Sequence, residues 1–144
     1  MTNGTAATDR PIAYVAWHAA KAILRHSQSA LAAIDLTQPQ WWALNNIAQA
    51  EHGLTRGEIR ARPVPYDMGP EAMAHAADAL AHRGWLSTDT DADGRLTLTE
   101  RGRAGLATAK EHMARVRADL LGDITDEEYA TAVSVLQRVT DNLA

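Results

Sequence analysis

Apolar positions recur at helical spacing along most of this chain, and turn-forming residues cut the pattern into segments. From Pro11 to about Ile34, Ile12, Val15, Ala19, Ala22, Ile23 and Ala30 fall on one broad stripe, with Trp17, Leu24 and Leu31 on a flanking face. A helix apolar over more than one stripe calls for two partners, its own core and another subunit. Thr37 is placed to cap a second helix that carries Trp41, Leu44 and Ile47 inward, with Trp42 beside that face and partly covered. Leu54-Thr55-x-x-Glu58-Ile59 has the form of a short helix opened by a reciprocal cap, and Pro63 and Pro65 end it. The next helix is expected from about Gly69-Pro70 to residue 83, burying Met73, Ala76, Ala77 and Leu80 and closing at Gly84.

After Trp85-Leu86 the period changes. Leu96 and Leu98 alternate with Thr97 beyond an Asp93-Gly94 turn, which predicts a two-stranded hairpin. Thr99 then caps a helix to about Leu121, with Leu106, Ala109, Met113, Val116 and Leu120 on one side. Gly122 interrupts, and Thr125-Asp126-Glu127-Glu128 opens a last helix marked by Tyr129, Val133, Leu136, Val139 and Leu143. The terminal helices carry more apolar surface than a small domain covers by itself.

The order helix, break, helix, hairpin is the plan of a winged helix-turn-helix, and specific residues extend the likeness. Asp78-x-Leu80-x-x-x-Gly84-Trp85-Leu86, then Asp93-Gly94-Arg95-Leu96-Thr97-Leu98-Thr99-Glu100-x-Gly102, resembles the MarR family of bacterial transcriptional regulators. Leu36-Thr37-x-x-Gln40-Trp41-x-x-Leu44 is similar to that family's second-helix start. The resemblance runs in order through nearly the whole chain. It implies a mainly α fold with a small β-hairpin wing and N- and C-terminal dimerisation helices. On this reading residues 1–144 form a single domain, with 10–35 and 103–144 dimerising and 36–102 forming the DNA-binding core. The implied function is a homodimeric, ligand-responsive DNA-binding regulator, a repressor that covers a pseudo-palindromic operator in double-stranded DNA.

Size and composition agree with a single domain. The chain has 144 residues, abundant alanine and no phenylalanine. It contains no cysteine, which excludes disulfides and thiolate metal sites and suits a cytoplasmic location. Nothing in it resembles a secretory leader or a membrane span. No phosphate-binding glycine loop or motif-like nucleophile and base is present, so neither an enzyme nor a cofactor is expected.

Charge complicates the DNA-binding reading. The formal net charge is -4 and the calculated pI 5.8. Between residues 51 and 105, Arg56, Arg60, Arg62, Arg83, Arg95, Arg101 and Arg103 face a larger number of carboxylates, including Asp78, Asp89, Asp91 and Asp93. The DNA-contacting candidates are Arg56, Arg60 and Arg62 around the turn, His75 on the recognition helix, and Arg95 in the wing. Each has a plainer alternative: a solvated face for the three turn arginines and His75, and a salt bridge to Asp91 or Asp93 for Arg95. Gln40 is a lesser phosphate candidate, with helix surface as its alternative. The acidic wing supports a rival class, a non-DNA-binding dimeric module that senses a ligand or binds protein on the same fold.

Two further constellations carry possible chemistry. Tyr14, Trp17, His18, Trp41 and Trp42 concentrate rings where the first two helices meet the winged core, and the family resemblance implies a small aromatic effector there. Core or dimer packing is the alternative for those rings. His75-x-x-Asp78-x-x-x-His82 puts three potential ligands on one helix face, but the outer two are about two turns apart, so no metal site is expected.

Overall fold

The structure is a computed structural model that describes residues 9–63, 68–87 and 92–144. Among the described residues six helices follow one another: α1 Ile12–Ala32, α2 Gln38–Gln49, α3 Arg56–Ala61, α4 Ala72–His82, α5 Glu100–Leu121 and α6 Asp126–Leu143. Helix α4 packs on α2 and α3, and α5 lies along α1. The buried centre is formed by Leu31, Leu44, Ile47, Ile59, Met73 and Leu80, closed by Leu86, Leu96 and Leu106. The expected inward residues of α4, Met73, Ala76, Ala77 and Leu80, are all buried. Pro65, Asp67, Asp89 and Asp91 lie outside the described residues.

The helix starts follow local chemistry. Thr37, Thr55 and Thr125 each accept from a backbone N–H three residues on, and the Gln or Glu at that position bonds back to the threonine N–H. In α3 the Thr55 N–H donates to Glu58 Oε1 at 2.9 Å, and in α6 the Thr125 N–H donates to Glu128 Oε1 at 3.0 Å. Those backbone donors hold both carboxyls below the ordinary carboxylate range; at Glu58 a smaller burial effect opposes this, while the Arg95 and Arg62 charges assist.

Because these folded pKa values lie below the unfolded ones, the stabilisation is present above the ordinary carboxylate pKa. It is lost as pH falls from the ordinary carboxylate range through the lowered values. Replacing both Glu58 and Glu128 by glutamine should therefore flatten part of the acid-side fall in the urea midpoint. A double variant with the parent's pH profile would show that the caps do not contribute to it.

Two expectations are corrected, and one left open is decided. Helix α4 starts at Ala72, not at Gly69-Pro70: Gly69 has φ +90°, its carbonyl closes only a three-residue turn onto the Ala72 N–H, and regular bonding begins with His75 N–H to Glu71 O. The hairpin wing is not seen as strands among the described residues. The described residues show isolated antiparallel bridges, Leu86 with Leu98 and, on the other edge of the same segment, Leu54 with Leu96. In α1 the face turned to the core is that of Leu24 and Leu31, and Leu31 is fully buried. The broader predicted stripe faces outward, with Ile12 49%, Val15 46% and Ile23 37% exposed.

Helix α6 has no buried residue at all. Val133, Leu136 and Leu143 are exposed along it, and its visible anchorage is the Arg117 guanidinium stacked 4.7 Å from the Tyr129 ring. No helix among the described residues is long and apolar enough to cross a membrane.

Candidate nucleic-acid interface

The end of α4 and the start of α5 are joined by one threonine. Thr99 Oγ donates to the Gly84 carbonyl at 2.6 Å and accepts from the Gly102 N–H at 3.0 Å, while its own N–H donates to Trp85 O. Gly84 ends α4 with φ +79°, as its position predicts. Gly102 must lack a side chain for another reason: a Cβ there would lie 2.0 Å from the Trp85 carbonyl oxygen. The Leu-Thr-x-x-Gly run is thus a latch between two helices. Arg83 strengthens it by donating to the Asp35 carbonyl at 2.7 Å and stacking on Trp85. That guanidinium is committed to the fold.

Latched this way, α4 turns one side outward. His75, Asp78 and His82 lie on it, part- to fully exposed, and Glu71 is half-buried at its start. Helix α3 lies alongside and places two of the expected DNA contacts against it. Arg56 Nη2 reaches both carboxylate oxygens of Asp78, at 2.8 and 2.9 Å, and Arg60 pairs with Glu71. In the wing, Arg95 Nη1 bonds Asp93 Oδ2 at 2.7 Å, the ion-pair alternative expected for it. Arg95 and Arg62 both lie close enough to Glu58 to act on its charge. Arg56 and Arg60 thus lie between α3 and the outward side of α4 that carries His75, while Arg62 and Arg95 lie near Glu58 of α3. Gln40 serves the α2 cap, its Oε1 accepting the Thr37 N–H at 3.2 Å.

Asp78 and Glu71 were not singled out as partners of these arginines. No local signal marks them, because Arg56 and Asp78 stand 22 positions apart and meet only through the helix packing.

The ring cluster is dispersed. Tyr14 and His18 stack with centroids 4.3 Å apart on the outer N-terminal half of α1, and Trp17 is 64% exposed beside Lys21. Trp42 also faces outward. Trp41 alone of the five lines a concavity of about 630 Å³ between α1, α2, α5 and the start of α6. Asn45, Lys110, Arg117 and Tyr129 share that wall, an aromatic and cationic lining that the ring count in the sequence did not point to. Among the described residues no group of three His, Asp or Glu side chains converges on a metal position.

A helix-turn-helix core followed by the described base of a wing, flanked by long helices from both ends of the chain, is a winged helix-turn-helix architecture. Solved structures of the MarR family share it closely, so the chain has a MarR-type fold. The MarR family protein Rv2887 of Mycobacterium tuberculosis, in a complex with DNA, matches with TM-score 0.70 at 23% identity, over 91% of this chain and 98% of that one. MarR of E. coli in its reduced form matches with TM-score 0.68 at 21% identity, over 90% and 93%. BpsR of Bordetella bronchiseptica, solved to explain regulation of its DNA binding by 6-hydroxynicotinic acid, matches with TM-score 0.71 at 17% identity, over 96% and 99%. No family model matches the chain.

Proposed function

We propose that this chain is a homodimeric, ligand-responsive DNA-binding transcriptional regulator, a repressor whose release from DNA follows effector binding. The observation that carries the reading is the outward side of α4 with Arg56 and Arg60 of α3 set against it, and Arg62 and Arg95 beside Glu58 of the same helix. The fold neighbours that include a DNA complex and an effector-controlled DNA binder support it. Residues 36–102 would form the DNA-binding core, and 10–35 and 103–144 the dimerisation helices. The effector would be a small aromatic acid. Trp41 offers a ring face to it, and Lys110 and Arg117 offer cations for the carboxylate.

The ion pairs do not weigh heavily against DNA. The side chains of Arg56 and Asp78 are 61% and 50% exposed, and exposed pairs of this kind contribute about 0–1 kcal/mol. A guanidinium in such an exposed pair keeps N–H donors that can bind a phosphate without giving up the carboxylate. Each phosphate neutralised releases counterions and adds about 0.9 to the salt slope of binding. The pairing of three of the five candidate residues with carboxylates nevertheless favours a second reading, a dimeric ligand-sensing or protein-interaction module that does not bind DNA.

Binding to DNA from around the protein's own gene at two salt concentrations, with random DNA as control, separates the two. The regulator should form a sequence-selective complex that weakens steeply with salt. Arg95→Ala should weaken binding to every sequence and lower the slope by about one unit. An unchanged slope in that variant removes the wing from the interface. Absence of any selective complex without effector makes the non-DNA-binding module the better account.

A further inference from the structure

The outward side of α4 has an unusual chemistry for a helix that reads bases. From residue 71 to residue 82 it offers Glu71, His75, Asp78 and His82, and no serine, threonine, asparagine, glutamine, lysine or arginine. Arg83, at its end, is bound to the Asp35 carbonyl. Asp78 lies near the middle of the helix, on its outward side.

An ionised carboxylate only accepts hydrogen bonds. In the major groove it therefore needs a base-edge donor, and the donors there are the cytosine N4 and adenine N6 amino groups. Adenine presents its donor beside an N7 acceptor, a pair that suits an amide able both to give and to take. Cytosine presents its amino group without that adjacent acceptor, and suits a carboxylate. A guanine or thymine edge at the same place would oppose acceptor to acceptor, so the carboxylate also rejects wrong bases.

A bare carboxylate would be repelled by the phosphates, and Arg56 removes that obstacle. Its Nη2 lies 2.8 and 2.9 Å from the two oxygens of Asp78, making the pair neutral and fixing the carboxylate from a different helix. Each carboxylate oxygen keeps a further lone pair, and both side chains remain half-exposed or more. The pair is presented to the surface ready to accept.

Resting on the regulator reading above, we propose that Asp78, neutralised and oriented by Arg56, is the specificity-determining residue of α4 and selects a cytosine in each half-site. His75, one turn earlier, faces the same way as a donor for a neighbouring purine acceptor.

The test is selection of binding sites from a randomised duplex library by the full chain, with thermal unfolding to confirm that each variant is folded. The parent should enrich sites with an invariant cytosine at one position per half-site. Asp78→Asn should move that position to adenine, and Asp78→Ala should leave it indifferent. Both should bind the parent's site about ten- to a hundred-fold more weakly. Arg56→Ala should weaken binding to all sites and blunt the cytosine preference.

If Asp78→Asn and Asp78→Ala enrich the parent's own sites unchanged, Asp78 is only an ion-pair partner and the proposal falls while the regulator reading stands. If the parent enriches no sequence, the regulator reading fails, and this proposal with it.

Discussion

Gly102→Val will destabilise the protein by about 3 kcal/mol or more, at the upper end of what overpacking costs. The side chain would enter at 2.0 Å from the Trp85 carbonyl oxygen and 2.9 Å from its carbon, both backbone atoms. That carbonyl already accepts the Thr99 N–H at 3.0 Å, so it can retreat only by breaking the latch. Chemical denaturation should show a lower midpoint or loss of the cooperative transition. A contrasting change calibrates the result. Gly57, inside α3, has among the described residues only the Thr55 hydroxyl near its open side, at 3.8 Å, and Gly57→Ala should stabilise by about 0.5 to 1 kcal/mol. If Gly102→Val unfolds at the parent's midpoint, the close approach at Trp85 is not a constraint.

Leu136→Asp should turn a two-chain species at micromolar concentration into a monomer whose winged core is still folded. Helix α6 buries nothing within its own chain, yet Val133, Leu136 and Tyr129 are 49%, 42% and 37% exposed along it. Helix α1 leaves Ile12, Val15 and Trp17 uncovered in the same way. A two-fold dimer that pairs these faces would place Leu136 in an apolar seam twice over, by symmetry. An unpaired carboxylate in such a seam costs several kcal/mol per ion, enough to raise the dissociation constant by orders of magnitude. Sedimentation equilibrium reads the mass, and far-ultraviolet circular dichroism the retained helix. A parent protein that sediments as a clean monomer would end the dimer reading.

Much of the fold was legible because its signals are local. Thr37, Thr55, Thr99 and Thr125 each announce a helix start within four residues, and all four act as the caps they resemble. The inward side of α4 follows from spacing alone. What periodicity could not assign was which of two apolar faces of α1 meets the core, since Leu31 and Ile23 are equally apolar and only the placement of α5 decides. The pairing of Leu54 with Leu96 was not legible, because the two stand far apart in sequence and meet only through the fold. The candidate interface was legible as a list of basic groups and not as an arrangement. Arg56 with Asp78 and Arg60 with Glu71 are contacts between helices, and a carboxylate at i reveals nothing about an arginine at i-22.

The Thr99 latch has a mechanical consequence. A single hydroxyl bonds the Gly84 carbonyl just past the end of α4 and caps the start of α5, so the two helix ends are tied directly although the wing lies between them in the chain. Helix α5 has 22 residues and is about 33 Å long, which makes it a stiff boom with α4 clamped to its near end. Tilting that boom by about ten degrees around its far end swings the clamp by about 6 Å, roughly one turn of helix. The concavity beside Trp41, Lys110 and Arg117 lies along the boom, between clamp and far end. Whatever wedges there acts on a lever arm, and a small strain at the body becomes a long stroke at the tip.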